Sequence, residues 1–411
     1  MKNIVVLGDG MADYPVESLG GKTPLQAARK PVLDGLARRG ILGLVQTVPE
    51  GMSPGSDTAN LAVLGYDPRI YYTGRSPFEA ASMGIKLKNG DVAFRCNLVT
   101  LSEDEPYEEK VMLDHSAGQI SSEEARELIS LVNERLASPG IGFYPGISYR
   151  HLMVWEDGPH EWRMTPPHDI LGRKVGTYLP EGSHNGVLRK MMQKSAQFLS
   201  GHEANTKRTA KGLGTANAIW LWGHGQRAQL ASFAEKYKLS GAVISEVDLV
   251  RGLGLCAGLE VLEVPGMTGD NHTNFVGMAE AALASLKSGT DFVYLHLEAP
   301  DEYGHRQEVA NKVRAIELID EHVLRVLKKS LDSWGEPYRL MVLPDHATPL
   351  SLRTHTSDPV PFVIYQSDRH PFGGASGYDE FSALETGIKI PAGYRLMDYF
   401  LGVTDLGEMT A

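Results

Sequence analysis

Short apolar runs bounded by glycine and proline recur along the chain and predict buried β-strands. Continuous apolar runs of this kind are typical of parallel strands covered on both faces, whereas half-exposed antiparallel strands alternate polar and apolar residues. The candidate strands are residues 3–7, 41–48, 218–222, 241–245, 259–264, 291–297, 339–343 and 361–365.

Helical periodicity separates most of these strands. The amphipathic stretches are residues 24–39, 226–237, 273–287 and 308–331. Strands that alternate with helices predict an α/β fold, with a mostly parallel sheet flanked by helices. In such sheets, ligands bind beyond the carboxyl ends of the strands.

Residues 86–180 have a different pattern. Strands at 91–101 and 148–155 show partial alternation around one amphipathic helix at 121–136. We therefore predict a smaller α+β domain at 86–180, inserted into a discontinuous main domain of residues 1–85 and 181–411. The polar segment 200–211 predicts a linker or an exposed loop.

The length, net charge and cysteine content of the chain limit the classes of protein to which it can belong. The chain has 411 residues, which favours two domains, and a net charge of −11, which disfavours nucleic acid or an anionic membrane as the main partner. Cys96 and Cys256 lack metal-type spacing and a disulfide framework, so we expect a cytoplasmic protein. The first apolar run is too short for a signal peptide or a membrane span. The sequence leaves a homo-oligomer open.

Acids and histidines follow several of the predicted strands. Aspartate and histidine ligands together with one serine suit two divalent cations and a metal-activated nucleophile. Asp301 and His305 are four residues apart, so one helical turn can direct both at one ion. The candidate residues are Asp9, Ser56, Asp301, His305, Asp345, His346 and His355.

A competing motif for the nucleophile fails on physical grounds. Residues 51–55 read Gly-Met-Ser-Pro-Gly and match the nucleophile elbow of α/β-hydrolases. That elbow uses the backbone N–H of the residue after the serine, and here Pro54 follows Ser53 and has no N–H.

Longer motifs across nearly the whole chain resemble one family, the cofactor-independent phosphoglycerate mutases of the archaeal type, in the alkaline phosphatase superfamily. The resemblance implies an alkaline-phosphatase-like fold. The matching stretches, in chain order, are LGDGMAD (7–13), PGSDTANL (54–61), LGYDP (64–68), TGRSPFEA (73–80), FRCNL (94–98), DHSAG (114–118), DEYGH (301–305), PDH (344–346) and HTSDPVP (355–361).

The resemblance also implies roles for the candidate residues. One divalent cation (manganese, zinc, cobalt or magnesium) would lie among Asp9, Ser56, Asp345 and His346. A second would be held by Asp301, His305 and His355. Ser56 would become a phosphoserine.

Further residues are candidates for contact with the substrate. Asn60, one helical turn beyond Ser56, is a candidate phosphoryl contact. Asp114 and His115 are candidate acid–base groups, with a turn hydrogen bond as the alternative for Asp114. The inserted domain is the candidate lid over the site. The candidate groups for binding substrate anions are Arg75, Arg95, Arg150, Arg173 and Lys174.

The resemblance implies interconversion of 3-phosphoglycerate and 2-phosphoglycerate in glycolysis and gluconeogenesis. Two segments, 220–225 and 297–302, depart from the archaeal pattern and resemble a bacterial branch proposed to phosphorylate homoserine. A homoserine kinase is therefore the first alternative. A phosphomonoesterase and a non-catalytic metabolite-binding protein are the others.

Overall fold

A computed structural model describes residues 1–369, 374–405 and 407 of the chain. The chain divides into two compact units. The first unit comprises Met1–Tyr72 with Gln229–Ala411, and the second comprises Thr73–Ala228.

The strands lie as follows: β1 Lys2–Gly8, β2 Ile41–Val45, β3 Val92–Leu101, β4 Met112–Asp114, β5 Ile141–Tyr144, β6 Arg150–Trp155, β7 Trp162–Arg163, β8 Glu181–Gly182, β9 Ala218–Gln226, β10 Gly241–Ile244, β11 Glu260–Val261, β12 Phe292–Leu297, β13 Tyr338–Leu343, β14 Val360–Gln366 and β15 Lys389–Ile390.

The α-helices are α1 Pro24–Ala27, α2 Pro31–Arg39, α3 Ser56–Val63, α4 Pro68–Tyr71, α5 Ser76–Ser82, α6 Ser122–Leu136, α7 Asn185–Leu199, α8 Glu203–Ala210, α9 Phe233–Tyr237, α10 Asp248–Cys256, α11 Phe275–Lys287, α12 Ala299–Arg306, α13 Val309–Leu318, α14 Arg325–Trp334, α15 Glu380–Glu385 and α16 Leu396–Phe400. A π-helical turn at Ile319–Leu324 joins α13 to α14.

The first unit is built on an eight-stranded sheet of order β11-β10-β12-β1-β13-β14-β2-β15. Every neighbouring pair is parallel except the two pairs made by β14, which runs antiparallel to β13 and β2. The predicted mostly parallel α/β sheet is confirmed. The buried apolar residues of β1, β12 and β13 form its centre, as their continuous apolar sequences predict.

A proline divides the first predicted helix into two helices. The pattern predicts one helix over residues 24–39, but α1 ends at Ala27 and α2 begins at Pro31. Pro31 has no N–H and disfavours a helical conformation at Lys30, so the helix cannot run through. Thr23 caps α1 with a complete capping box.

The second unit contains a five-stranded sheet with the order β4-β3-β6-β5, and its fifth strand, β9, also pairs with β3. Assignment of residues 218–222 to the parallel sheet is therefore wrong. β9 runs antiparallel to β3, from Ala218 opposite Val99 to Gln226 opposite Val92. Because β9 continues to Gln226, the helix predicted over residues 226–237 is reduced to α9.

The polar segment 200–211 contains α8 rather than a loop. Two of its polar residues are buried and hydrogen-bonded: Asn205 Nδ2 donates to the carbonyls of Leu199 and Ala216, and Arg208 Nε donates to that of Gly214. A helix whose polar residues are hydrogen-bonded in this way can have the polar composition that is typical of a loop.

The second unit extends beyond the predicted insert of 86–180 at both ends. It starts at Thr73 and ends at Ala228. The pairing of β9 with β3 places the later part of this range in the second unit. In the part of the chain that the structure describes, no helix is both long enough and apolar enough to cross a membrane.

Candidate functional site

The carboxyl ends of four adjacent parallel strands of the first unit meet at one edge of the sheet. Gly8 of β1 is level with Leu297 of β12, and Leu7 is level with Leu343 of β13. Asp9 and Asp345 follow their strands at this edge, and α12, which carries Asp301, begins just beyond β12. The topology thus brings together acids that are far apart in sequence.

Asp9, Asp345 and His346 form one group that could hold a metal ion, and all three are buried. His346 Nε2 lies 3.6 Å from Asp9 Oδ1 and 3.4 Å from Asp345 Oδ2. Ser56 Oγ lies 3.2 Å from the same nitrogen. Ser56 is the first residue of α3, and the partial positive charge at a helix amino terminus favours an ionised oxygen there.

Asp301, His346 and His355 form a second group with the spacing of metal ligands. His305 Nε2 lies 3.2 Å from Asp301 Oδ2 and 2.9 Å from His355 Nε2, so it belongs to the same cluster. His305 Nδ1 is 3.0 Å from the Arg353 carbonyl, which can only accept, so Nδ1 carries the proton. An imidazole held in this way offers Nε2 to a metal.

Burial and neighbouring charges perturb the groups in both clusters. The pKa of Asp9 is raised by burial and by Asp345 and Glu298. Burial lowers the pKa of His346 to about 4, so the ring is neutral at pH 7. Burial alone would raise the pKa of Asp301, but His305 and His355 outweigh it and hold that pKa well below the ordinary value.

The buried carboxylates fit a divalent cation. Asp9 Oδ1 is buried and has no hydrogen-bond partner among the described residues. A buried carboxylate oxygen of this kind is costly unless a cation compensates it. Mixed aspartate and histidine ligands are typical of manganese, zinc and related ions.

The close approach of Thr348 and Asp301 requires glycine at position 10. Its φ is +60°, and a Cβ at this position would lie 2.5 Å from Thr348 Oγ1 and 2.7 Å from Asp301 Oδ1. Its backbone N–H donates to Asp345 Oδ1 over 3.2 Å. Only glycine combines this conformation with this proximity.

Asn60 is placed to orient the ligands rather than to contact a phosphoryl group. Its side-chain amide donates to Asp345 Oδ2 and to the Ser56 carbonyl, each over 2.8 Å. Its carbonyl oxygen accepts from the Tyr294 hydroxyl over 2.6 Å. Both amide hydrogens are therefore used, which differs from the expected phosphoryl contact. Tyr294, which sequence reasoning missed, fixes the direction of the Asn60 amide.

His296 is the second residue of β12 that sequence reasoning missed. Its Nε2 lies 2.9 Å from Asp9 Oδ2, and its Nδ1 lies 3.1 Å from Ser245 Oγ. Tyr294 and His296 are two positions apart and therefore share one face of the strand. These two polar residues on one face of an otherwise apolar strand are the feature of the sequence that could have identified His296 and Tyr294 as site residues.

We expect Tyr294→Phe to lower kcat about 10- to 100-fold while the fold is retained, because loss of such a supporting hydrogen bond typically has this effect. The change frees the Asn60 amide to rotate away from Asp345. Steady-state kinetics and circular dichroism measure the two quantities. Tyr66→Phe is the matched control, since Tyr66 is equally buried and its hydroxyl donates to the Ala231 carbonyl instead. Equal losses in both variants would contradict the assigned role.

Three predicted substrate-binding arginines gather around one acid in the second unit. Arg75 Nε donates to Glu79 Oε1 over 2.9 Å, and Arg95 Nη1 donates to the same oxygen. Arg150 is near enough to lower the pKa of Glu79 as well. One carboxylate among three guanidinium groups leaves an excess of positive charge, which suits an anionic ligand.

The remaining predicted residues of this unit lie in other surroundings. Asp114 accepts from the backbone N–H groups of Ser116 and Gly118, which is the turn arrangement. His115 Nδ1 is buried and has no hydrogen-bond partner among the described residues. Arg173 Nη1 donates to the Tyr178 hydroxyl, and Lys174 Nζ donates to Glu109.

We expect Glu79→Gln to destabilise the protein by about 3 kcal/mol at pH 7, because it leaves buried Arg95 without its counter-charge. Burial would raise the pKa of Glu79, but Arg95 and Arg75 outweigh it and lower that pKa below 4.5. The stabilisation is therefore present above pH 4.5 and is lost as the pH falls through the folded-state pKa. Denaturant unfolding at several pH values measures this difference.

The control for this prediction is Glu134→Gln, since the Glu134 side chain is 71% exposed beside Arg135. We expect it to change stability by less than about 0.5 kcal/mol at every pH. A Glu79→Gln variant as stable as this control would contradict the prediction.

Comparisons with known proteins identify similar chains. A family model described as 2,3-bisphosphoglycerate-independent phosphoglycerate mutase matches residues 37–205. A relative from Geobacter sulfurreducens, named as a probable mutase of that kind, is 51% identical over 98% of this chain and 100% of its own.

Two solved structures are similar over nearly the whole chain. A cofactor-independent phosphoglycerate mutase from Thermoplasma acidophilum superposes with a TM-score of 0.64 at 28% identity, over 98% of this chain and 100% of that one. A protein from Pyrococcus horikoshii superposes with a TM-score of 0.79 at 27% identity, over 98% of both chains.

Proposed function

We propose that this chain, which belongs to the 2,3-bisphosphoglycerate-independent phosphoglycerate mutase family, interconverts 3-phosphoglycerate and 2-phosphoglycerate through a phosphoserine at Ser56. The observation that carries the proposal is the position of Ser56 Oγ, 3.2 Å from His346 Nε2 at the edge of two metal-capable groups. A serine hydroxyl is a weak nucleophile unless such a site activates it.

Two divalent cations fit the ligands of the first unit. Asp9, Asp345 and His346 with Ser56 would hold one, and Asp301, His305 and His355 the other. When bound, such ions lower the pKa of the serine hydroxyl and stabilise the charge on the transferring phosphoryl oxygens. Manganese, zinc, cobalt and magnesium are all compatible with this donor set.

The two transfers balance each other. Ser56 Oγ forms a bond to phosphorus as the bond from phosphorus to the 3-oxygen of glycerate breaks. The Ser56 hydroxyl loses its proton, and the 3-oxygen gains one to become a hydroxyl. In the second transfer the 2-hydroxyl loses its proton as its oxygen bonds to phosphorus, the bond from phosphorus to Ser56 Oγ breaks, and Ser56 Oγ takes up a proton. No phosphoryl group is gained or lost overall.

The substrate of this reaction is a small polyanion, although the chain itself carries a net charge of −11. Arg75, Arg95 and Arg150 are the groups that we propose bind its carboxylate or phosphate. Asp114 and His115 are proposed to act on its hydroxyls. A cytoplasmic location, and a role without nucleic-acid or membrane partners, stay predictions.

The direct test is incubation of the metal-loaded full chain with 3-phosphoglycerate in the absence of bisphosphoglycerate. We expect 2-phosphoglycerate, detected by phosphorus NMR, with each of manganese, cobalt or zinc tried in turn. Absence of product with every divalent metal would overturn the proposal. Parallel reactions with homoserine and a nucleoside triphosphate, and with measurement of free phosphate, identify a kinase or a phosphatase in that case.

A further inference from the structure

His168 is a histidine of the second unit that has no role in the proposed mechanism. It lies in a short helical turn, Pro167–Ile170, and the segment around this turn is fixed at both ends. Before the turn, the Thr165 carbonyl accepts from the indole N–H of Trp220 in β9 over 2.8 Å. After the turn, the backbone N–H of Gly172 donates to the carbonyl of the first residue of β4, also over 2.8 Å. These bonds to two strands hold His168 in a defined position.

The ring of Trp222 connects His168 to the arginines of the second unit. The His168 imidazole packs edge-to-face on Trp222, with ring centroids 5.5 Å apart. The Arg95 guanidinium lies over the same indole, 5.2 Å from its centroid. Trp222 Nε1 donates to Asn97 Oδ1 over 3.0 Å, which fixes the direction of the indole. His168 therefore shares a fixed aromatic neighbour with a buried arginine that we propose binds the substrate.

His168 also lies beside His115, which is proposed to act on substrate hydroxyls. The two imidazole rings are edge-to-face, with centroids 6.0 Å apart. The His168 side chain is 49% exposed, although Trp222 beside it is buried. Part of the His168 ring therefore stays accessible to a small molecule that binds at the arginines.

The charges around His168 keep its ring neutral. Partial burial and the nearby Arg75 and Arg95 lower the pKa of His168 to about 4. Asp169 opposes this change only in part, since its Oδ1 lies 3.7 Å from His168 Nε2, beyond hydrogen-bond distance. At pH 7 the imidazole therefore has one nitrogen that donates a hydrogen bond and one that accepts.

An acceptor is what the arginines of this site lack. Guanidinium groups only donate hydrogen bonds, and Glu79 already accepts from Arg75 and Arg95. Asp114 accepts from the backbone of its own turn. A substrate hydroxyl both donates and accepts, so its hydrogen needs an acceptor in the site. The neutral ring of His168 can supply one.

We propose that His168 is a further substrate-binding residue, which hydrogen-bonds the free 2-hydroxyl of 3-phosphoglycerate. In this molecule the 2-hydroxyl is on the carbon next to the carboxylate. Arginines that bind the carboxylate therefore place the hydroxyl beside them, where His168 lies. The inference rests on the proposed function, because it takes the substrate from that proposal.

The test compares 3-phosphoglycerate with 3-phosphooxypropanoate, which has the same phosphate and carboxylate but lacks the 2-hydroxyl. Both are offered to the metal-loaded unchanged chain and to His168→Phe, which keeps a planar ring beside Trp222 but has no hydrogen-bonding atom. We expect kcat/KM for 3-phosphoglycerate to fall about 10-fold in His168→Phe, the effect of about one lost hydrogen bond. The inhibition constant of 3-phosphooxypropanoate should change by less than about twofold, because this compound has no hydroxyl for His168 to bind.

The matched control is His160→Phe, since His160 is an exposed histidine of the same unit, and both constants should equal those of the unchanged chain. Equal losses for substrate and analogue in His168→Phe would show that the ring is structural. No loss for either would show that it does not contact the substrate. Both outcomes overturn the inference and leave the proposed function standing. If circular dichroism shows that His168→Phe does not fold, His168→Leu takes its place with the same expected result.

Failure of the proposed function is recognised separately. If the unchanged chain forms no 2-phosphoglycerate, calorimetric titration with the two compounds replaces turnover. Tighter binding of 3-phosphoglycerate than of 3-phosphooxypropanoate, with the difference lost in His168→Phe, supports the role of His168 without the reaction. Equal binding of the two compounds to the unchanged chain, or no binding of either, overturns that role as well.

Discussion

Ser56→Ala is expected to reduce phosphoglycerate mutase activity by at least about 10⁴-fold, the scale of loss seen when a catalytic nucleophile is removed. The alanine has no oxygen to accept the phosphoryl group, so neither half of the transfer can occur. The other ligands remain, because Asp9, Asp345 and His346 still form the first group and the second group does not include Ser56. We therefore expect bound metal to fall by less than one ion per chain.

The measurements are turnover of 3-phosphoglycerate and the content of bound metal in the same sample. Incubation with 3-phosphoglycerate followed by mass spectrometry adds a second readout: the unchanged chain should carry a phosphoryl group at residue 56. Ser53→Ala is the matched control, because Ser53 is exposed three residues earlier and belongs to the elbow-like motif. Loss of activity in Ser53→Ala but not in Ser56→Ala would show that Ser53, and not Ser56, is the nucleophile.

The positions of Asp9, Asp301 and Asp345 could be predicted because strand direction alone determines where they lie. Buried parallel strands are recognised by their continuous apolar sequences, and their carboxyl ends share one edge. Residues that follow such strands must meet, even when hundreds of residues separate them. The resemblance to a family added the grouping of these residues around two cations.

Strand direction and partner were less predictable. β14 and β9 have the same apolar character as the parallel strands, yet β14 runs antiparallel within the main sheet and β9 pairs with β3 in the second unit. A strand that is covered on both faces has the same composition in either direction. Packing between distant parts of the chain decides which strands lie beside it. Sequence periodicity carries no information about that packing.

The supporting hydrogen bonds of the site were also hidden in the sequence. Asn60 has the same local sequence whether its amide faces a substrate or Asp345, and the hydroxyl of Tyr294 decides between the two. His296 stands in a strand that looks wholly apolar apart from Tyr294 and itself. The polar residues on that face mark a site only once Asp9 and Asn60 are known to lie opposite them.

Removal of divalent metal is expected to abolish activity and to lower stability, because the acids at the edge of the sheet repel one another. Burial and the neighbouring charges of Asp345, Glu298 and Asp301 all raise the pKa of Asp9. A cation whose free concentration is 1,000 times its dissociation constant stabilises the folded state by about 4 kcal/mol. We expect chelation to lower the Tm by several degrees, and added Mn²⁺ to restore both Tm and activity.

Asp9→Asn separates repulsion from metal binding. The asparagine removes one charge from the cluster, so the chelated variant should be at least as stable as the chelated unchanged chain. It also removes a ligand, so added Mn²⁺ should raise its Tm much less and should not restore activity. Asp104→Asn is the control: Asp104 is exposed with a φ of +73°, which asparagine tolerates, and its Tm should respond to Mn²⁺ as in the unchanged chain. A full response to Mn²⁺ in Asp9→Asn would show that the stabilising ion binds elsewhere, whereas a reduced response would place it on the Asp9 carboxylate.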